Sequence, residues 1–448
     1  MTDAPTEPGG SGSPKGDIDF SAIVTDHNRA RRNAPSSESP DRRTRADSPG
    51  RFRRQVDDGS SSLWRIGYPA VLAAVLVVGL PLLVFIGLRV ILDSTDGQLV
   101  RRITDPAAPG YEAVVTRTPT ALVAIVGSDN TLSGVALLAL TSETSGGIIT
   151  MPATLAFPSR YGLLPATVAW DGGGIDGVAD AVGAVLDLSF TDRLVIRSAD
   201  WASLLSTTGP LSITLPDPVR NAQDTVVLQK GTVQVRPDQV ASLVDSKSPN
   251  ENELNRSLRQ ELFWKAWLAQ LRTSGAQIAG PIDTGLGRFV GSLSRGQLSV
   301  SSLPVTPMPA SPPLPTRYLA VPEPAAATVA AYVPFPEGAP GSRPRLRVLD
   351  GTGSLGNGLV AAIQLNAGGG QVDVVGNAKS FGQAVTQIIY YDGTSEETAR
   401  RMRDAIDVGE LVPSKASNSA SDVTVVLGAD YLAKYGPSSD PGAAPTGR

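Results

Sequence analysis

The chain has no cysteine and a single histidine, His27, among its 448 residues. The first absence rules out disulfides, thiolate metal sites and a cysteine nucleophile. His27 lies in a polar N-terminal stretch, so a Ser-His-Asp triad or a histidine-ligated metal in the folded part is excluded too. A strong charge of one sign is also missing. The net charge is −4, which gives no reason to expect nucleic acid as a partner. Any enzymology must therefore use carboxylates, arginines, hydroxyls or a hard metal held by oxygen. What is plentiful is Ala, Gly, Val, Pro and Arg, with Lys scarce, the bias of a GC-rich genome.

Residues 1–62 are rich in Gly, Ser, Pro, Asp and Arg and poor in apolar side chains. Such a segment cannot bury enough surface to offset chain entropy and is expected to be disordered. Its small apolar island, DIDFSAIV at 17–24, is read as unstructured rather than as a partner-binding peptide. Residues 66–88, IGYPAVLAAVLVVGLPLLVFIGL, carry no charge. At 1.5 Å per residue the run reaches roughly 34 Å, enough for a bilayer core, and it is too long and too far in for a cleaved signal peptide. Arg42, Arg43, Arg45, Arg51, Arg53, Arg54 and Arg65 precede it, whereas the arginines after it stand among acids. The positive-inside rule then puts the N-terminus in the cytoplasm and everything beyond Leu88 outside. The expectation is a single-pass cell-membrane protein.

Residues 93–304 alternate strand-like runs (121–127, 135–141, 146–152, 192–198) with a helical one (174–188), which argues an α/β sheet covered by helices. A proline-rich stretch, 305–343, reads as an extended spacer. Residues 344–434 then read β-α-β-β-α-β, with Thr394 and Glu397 at capping-box spacing, before a polar tail at 435–448. GTGSLG, at 351–356, has the dinucleotide-fingerprint spacing. The unit around it is too small for a doubly wound sheet, so a tight strand-to-helix turn is preferred. WDGGGIDGVAD, with Asp171, Asp176 and Asp180, lacks the alternating oxygens and closing glutamate of a calcium loop. Asp129, in GSDNT, stands at a strand end, where α/β sheets hold ligands and where an ordinary turn residue also fits.

The sharpest signal is LNRSLRQELFWKAW, from Leu254. At 100° per residue, Glu261, Lys265 and Arg272 share a polar stripe, while Arg256, Arg259 and Gln260 fall among Phe263, Ala266 and Trp267. Arginines on an apolar face need anionic partners. They are either buried ion-pair partners or ligands of a phosphate or carboxylate.

These features in order resemble the LytR-CpsA-Psr family over roughly 116–304, and the LytR C-terminal domain over 344–434. VAIVGSD is similar to the family's opening strand and its Gly-x-Asp turn, at Gly127 and Asp129. STTGPLSI, within 188–219, is similar to its GGV signature, and ELNRSLRQ to its Asp-x-x-Arg-x-x-Arg-Gln helix. RVLDGTGSLGNGL resembles the start of the C-terminal unit. The resemblance implies a transferase outside the membrane, with a polyprenyl-pyrophosphate glycopolymer held by arginines and a divalent metal, Mg²⁺, and its lipid tail in an apolar groove. Arg256, Arg259, Gln260 and Asp129 would be its pyrophosphate-binding residues.

The departures are large. Thr131, Ser133 and Gly134 stand where the family has Arg-x-Asp-Thr, Ala153 and Thr154 replace Arg-Asp of Pro-Arg-Asp, and the Arg-x-Arg before the helix keeps at most Lys247. No catalytic or metal-binding residue is assigned. The expected function is a non-catalytic relative in cell-wall assembly that binds lipid-linked glycan or peptidoglycan, or scaffolds wall enzymes, including active members of the family. The alternatives are an active glycopolymer phosphotransferase and an envelope structural or signalling protein.

Overall fold

The computed structural model describes residues 103–436, except 297, 311, 313, 340, 341, 417 and 419. The expected tail (1–62), the apolar run (66–88) and the residues from 437 onward lie outside the described residues. Among those described, no helix is long and apolar enough to cross a membrane.

In chain order come β1 (Glu112–Val114), β2 (Thr120–Val126), β3 (Leu132–Leu140), β4 (Gly146–Met151), the hairpin β5 (Ala156–Ser159) and β6 (Gly162–Pro165), helix α1 (Ala166–Leu186) and β7 (Asp192–Arg197). The single turn α2 (Trp201–Leu204) is followed by β8 (Leu211–Leu215), β9 (Val219–Arg220), β10 (Val226–Leu228) and β11 (Gly231–Val235). Helices α3 (Val240–Asp245), α4 (Glu253–Ser274) and α5 (Gly285–Arg295) lead to β12 (Leu298–Ser302).

Five of these strands form a mixed sheet in the order β12-β4-β3-β2-β7. Successive side chains of a strand face opposite sides, and the two cores follow that alternation. Ala121, Val123 and Ile125, with Ala136 and Leu138, pack under α4 and α5. Leu122, Ala124 and Val126, with Val135 and Leu137, pack under α1. Both faces of β2 and β3 are buried along their whole length, as expected for a sheet covered on both sides. Helix α1 begins eight residues before the expected start at 174 and bends there, because Gly174 takes φ 57°, ψ −141° inside it. Only glycine enters that region without strain.

Residues 305–343 are not an extended spacer. β13 (Val305–Met308) pairs antiparallel with β14 (Arg317–Ala320), and helix α6 (Pro322–Tyr332) packs Ala325, Val329 and Tyr332 into the second core. The prolines that suggested an extended chain sit where proline is tolerated. Pro307 lies in a two-stranded ribbon, and Pro322 opens the helix, where no backbone donor is needed.

The C-terminal unit has β15 (Arg345–Asp350), α7 (Asn357–Ala367), β16 (Gln371–Asn377), β17 (Gln387–Tyr390), α8 (Glu396–Ile406), β18 (Glu410–Pro413), β19 (Val423–Leu427) and α9 (Ala429–Tyr435). β18 and α9 are additions to the expected β-α-β-β-α-β order. GTGSLG is the β15-to-α7 turn, with Gly353 and Gly356 at φ 84° and 96°. The sheet has six strands, β1-β16-β15-β19-β17-β18, and its outermost one comes from far upstream. β1 lies within the region expected to open the first domain, yet it pairs with β16. A Cβ on Gly376 would stand 2.1 Å from the carbonyl of Tyr111, so a glycine is what lets β1 approach. An Arg117–Asp373 ion pair joins the same two segments, and Arg347 of β15 pairs with Glu112 of β1.

Candidate functional site

The Gly127–Thr131 turn carries the chain from β2 into β3 at the open end of the central sheet. Asn130, at φ 62°, closes it, and the Gly127 amide donates to the Thr131 carbonyl at 2.9 Å. Asp129 is exposed, and its Oδ1 accepts from the amide (3.1 Å) and hydroxyl (2.7 Å) of Thr131. The hydroxyl bond, above all, holds its carboxyl below the usual aspartate range. Arg197 reaches the same turn, donating to Asn130 Oδ1 at 2.7 Å.

Helix α4 starts beneath this turn. Asn252 caps it, accepting from the Leu254 amide at 2.9 Å, and also accepts from the Tyr318 hydroxyl of β14. As the periodicity predicts, Arg256, Arg259 and Gln260 are buried, at 9%, 6% and 1% exposure. Each is already partnered. Arg256 pairs with Glu253, with Nε 3.0 Å from Oε1, and its Nη1 reaches the Asp245 carbonyl at 3.3 Å. Arg259 pairs with Glu251 and donates to the carbonyls of Leu243 (3.0 Å) and Ser246. Lys247 sits 3.1 Å from Glu253. Gln260 donates to the carbonyls of Ser133 and Val244, both at 3.0 Å.

Sequence reasoning missed the carboxylates. Glu251 stands two residues before the helix and Glu253 is its first residue, and a spacing of three from Glu253 to Arg256 is a pairing signal. Asp245 carried no such signal, because its partner Ser198 stands 47 residues away in the chain. It accepts from the Ser198 hydroxyl, and its Oδ1 is buried without a partner. Burial pushes its carboxyl up to about 6, against the lowering pull of Ser198 and Arg256. Three cations, Lys247, Arg256 and Arg259, thus meet Glu251, Glu253, Asp129 and Asp245. The cluster balances its own charge and presents no surplus for an anion.

Gly134, Ser133, Ala153 and Thr154 are packed tightly as well. A Cβ on Gly134 would lie 2.1 Å from Gln260 Oε1, so a side chain there and the observed glutamine exclude each other. Ser133 is buried at 3% exposure, Ala153 at 0% and Thr154 at 7%. Asp171, Asp176 and Asp180 lie on α1, where Asp176 pairs with Arg193 at 2.7 Å. Asp200 accepts from the Arg197 amide at 2.8 Å. A hard divalent ion needs several converging oxygen ligands, and among the described residues no three His, Cys, Asp or Glu side chains are placed to hold one, the carboxylates of this cluster being turned to Arg256, Arg259, Thr131 and Ser198. The residues present do not fit Mg²⁺.

Beyond the polar cluster the α4 face is filled by rings. Phe263 and Trp267 stack at 5.5 Å, Trp264 lies 5.6 Å from Trp267, and Trp201 of α2 meets Phe263 edge-on at 5.0 Å. All four are at most 1% exposed. This is solid packing between α4 and the sheet.

An α/β chain with two mixed sheets, whose helix-borne arginines face the end of the five-stranded one, is the class that fold and site define. Residues 343–431 match the family model described as LytR cell envelope-related transcriptional attenuator. No curated protein matches the chain. Among solved structures, TagT of Bacillus subtilis is similar at 16% identity, covering 51% of this chain and 91% of that one, with a TM-score of 0.38. A LytR-Csp2A-Psr enzyme from Actinomyces oris is similar at 18%, covering 50% and 95%, with a TM-score of 0.39. TagT with bound octaprenyl pyrophosphate lipid gives 15%, 51% and 90%, and a TM-score of 0.38.

Proposed function

We propose that this chain is a cell-envelope assembly protein, a non-catalytic relative of the LytR-CpsA-Psr proteins that scaffolds wall-building enzymes instead of transferring a glycopolymer. The reading places it in the cell membrane by the 66–88 run, with its N-terminus cytoplasmic and its α/β part outside. The match of residues 343–431 to a cell-envelope family supports the setting. The observation that carries the non-catalytic reading is the internal pairing of both α4 arginines. Phosphoryl transfer depends on positioned, unsatisfied cationic groups that neutralise developing charge. Here those groups are spent on Glu251, Glu253 and backbone carbonyls.

The test is to incubate the detergent-solubilised full chain with a polyprenyl pyrophosphate and Mg²⁺, and to follow both ligand binding and released phosphate. The expected result is no metal-dependent binding and no phosphate above the protein-free rate. Turnover, or tight binding lost at least tenfold in Arg259→Ala without loss of folding, would overturn the proposal. On the positive side, an active family member should co-purify with the full chain when the two are co-expressed.

A further inference from the structure

At the opposite end of the central sheet lies a groove of about 990 Å³ that none of this explains. One side is the chain's own entry segment, through Pro106, Tyr111 and Val114; the others are α5 and the start of α7. Its rim exposes aliphatic side chains that a water-facing surface has no use for. Val114 is 82%, Leu355 66% and Leu359 51% exposed. Val360 and Ile363, at 47% and 38%, continue the patch along α7. Isolated exposed leucines are ordinary; a contiguous apolar rim marks a docking face.

The charge at this groove differs from that of the α4 cluster. Arg288 and Arg295 are seven residues apart on α5 and so share one helix face, and both line the groove. Neither has a carboxylate partner among the described residues; Arg288 lies over the Phe289 ring at 5.7 Å. Arg117 is neutralised by Asp373. Of the lining acids, Asp350 is buried and bonded to Thr352, which leaves Glu143 alone against two free guanidinium groups.

Protruding aliphatic side chains beside unpaired arginines suit the boundary between acyl chains and headgroups, where arginine keeps its charge in the phosphate layer. The place along the chain agrees. The residues between the apolar run and the first described one are 89–102, and the chain then goes on to line this groove from Pro106. We propose that the groove face docks on the outer leaflet of the anchoring membrane. Val114, Leu355 and Leu359 enter the leaflet surface, and Arg288 and Arg295 bind phosphates of anionic phospholipids. This rests on the reading of 66–88 as a membrane span.

The absence of cysteine makes a clean test possible. Full-length chain carrying Leu359→Cys, labelled with an environment-sensitive fluorophore, would be reconstituted in nanodiscs containing lipids with a nitroxide near the headgroup. In discs of mixed phosphatidylglycerol and phosphatidylcholine, we expect at least twofold quenching. A label at Gln223→Cys, outside the groove, should show none. Pure phosphatidylcholine, about 0.5 M salt, which cuts the screening length well below that at 0.1 M, or the double variant Arg288→Glu/Arg295→Glu should abolish most of the effect. A chain that fails to enter discs sinks the anchoring reading and the docking with it. A chain that enters, with the Leu359 label unquenched or equally quenched in the double variant, sinks the docking alone. A lipid-independent shift that grows with protein concentration would assign the face to a second copy and overturn the proposal.

Discussion

Strand β3 joins two arginine pairs of opposite character. At its Leu132 end, Arg256 and Arg259 are buried and matched by Glu253 and Glu251. At its Leu140 end, roughly 27 Å away at strand spacing, Arg288 and Arg295 line an open groove with no carboxylate of their own. Residue type is the same at both ends, so the difference lies in the neighbours. A buried guanidinium with a carboxylate and carbonyls in place is a structural element: its removal leaves charges stranded. A half-exposed one without a partner costs little to lose and is available to an outside anion.

The strongest way to break this comparison is Arg259→Ala. It strands Glu251, 12% exposed in its side chain, and the Leu243 and Ser246 carbonyls. Breaking a buried pair from one side costs about 3–5 kcal/mol, and that loss should appear as a lower midpoint in chemical denaturation. The double variant Glu251→Ala/Arg259→Ala should cost clearly less than the sum of the singles, because the stranded carboxylate is gone. Additivity would mean that the pair is not coupled and that Arg259 is free to serve a ligand.

Asp245 gives a second, pH-dependent probe of the same end. Its folded-state carboxyl titrates near 6, above the ordinary 3.8. A raised folded-state value contributes stability that is fully present below about 4 and lost as pH rises through about 6. Ionised Asp245 therefore weighs against the fold at pH 7. Asp245→Asn should stabilise the protein there by about 2–3 kcal/mol, with the advantage shrinking to nothing near pH 4. A variant that is less stable at pH 7 would show that the ionised carboxylate is a needed partner of Arg256.

Much of the fold could be read from the chain because its strands carry unbroken apolar runs. TALVAIV and the LSGVALLAL that follows read as buried strands and are so, and the helical period of α4 put Arg256, Arg259 and Gln260 on its inner face. What could not be read was non-local. Nothing in EAV at 112–114 marks it as the edge of a sheet formed more than two hundred residues later. The prolines of 305–343 looked like a spacer because proline's exclusion from strand centres does not apply to ribbons and helix starts. The site was half legible. The arginines showed themselves by breaking an apolar face, whereas Asp245, brought in from α3, is defined only by what it packs against.

Arg347 sits between the two extremes. It pairs with Glu112 across the β1 edge, with side-chain exposures of 31% and 39%. A half-exposed pair is screened by water and salt, so Arg347→Ala should cost no more than about 1 kcal/mol in thermal denaturation. A loss as large as that of Arg259→Ala would mean that burial is not what separates the two ends of the molecule.

The smallest effect is the one that sharpens the contrast most. Arg288→Ala and Arg295→Ala, singly or together, remove no buried partner and leave no carboxylate stranded. Each should shift stability by less than about 0.5 kcal/mol, as measured by denaturation of the solubilised chain. The apolar stem of Arg288 over Phe289 is the one contact that could add to this, and Arg288→Met would keep that packing while removing the charge. If the alanine variant loses stability and the methionine variant does not, the stem matters and the charge is free. If both lose several kcal/mol, the charge has an internal structural role, and the two arginine pairs belong to one kind after all.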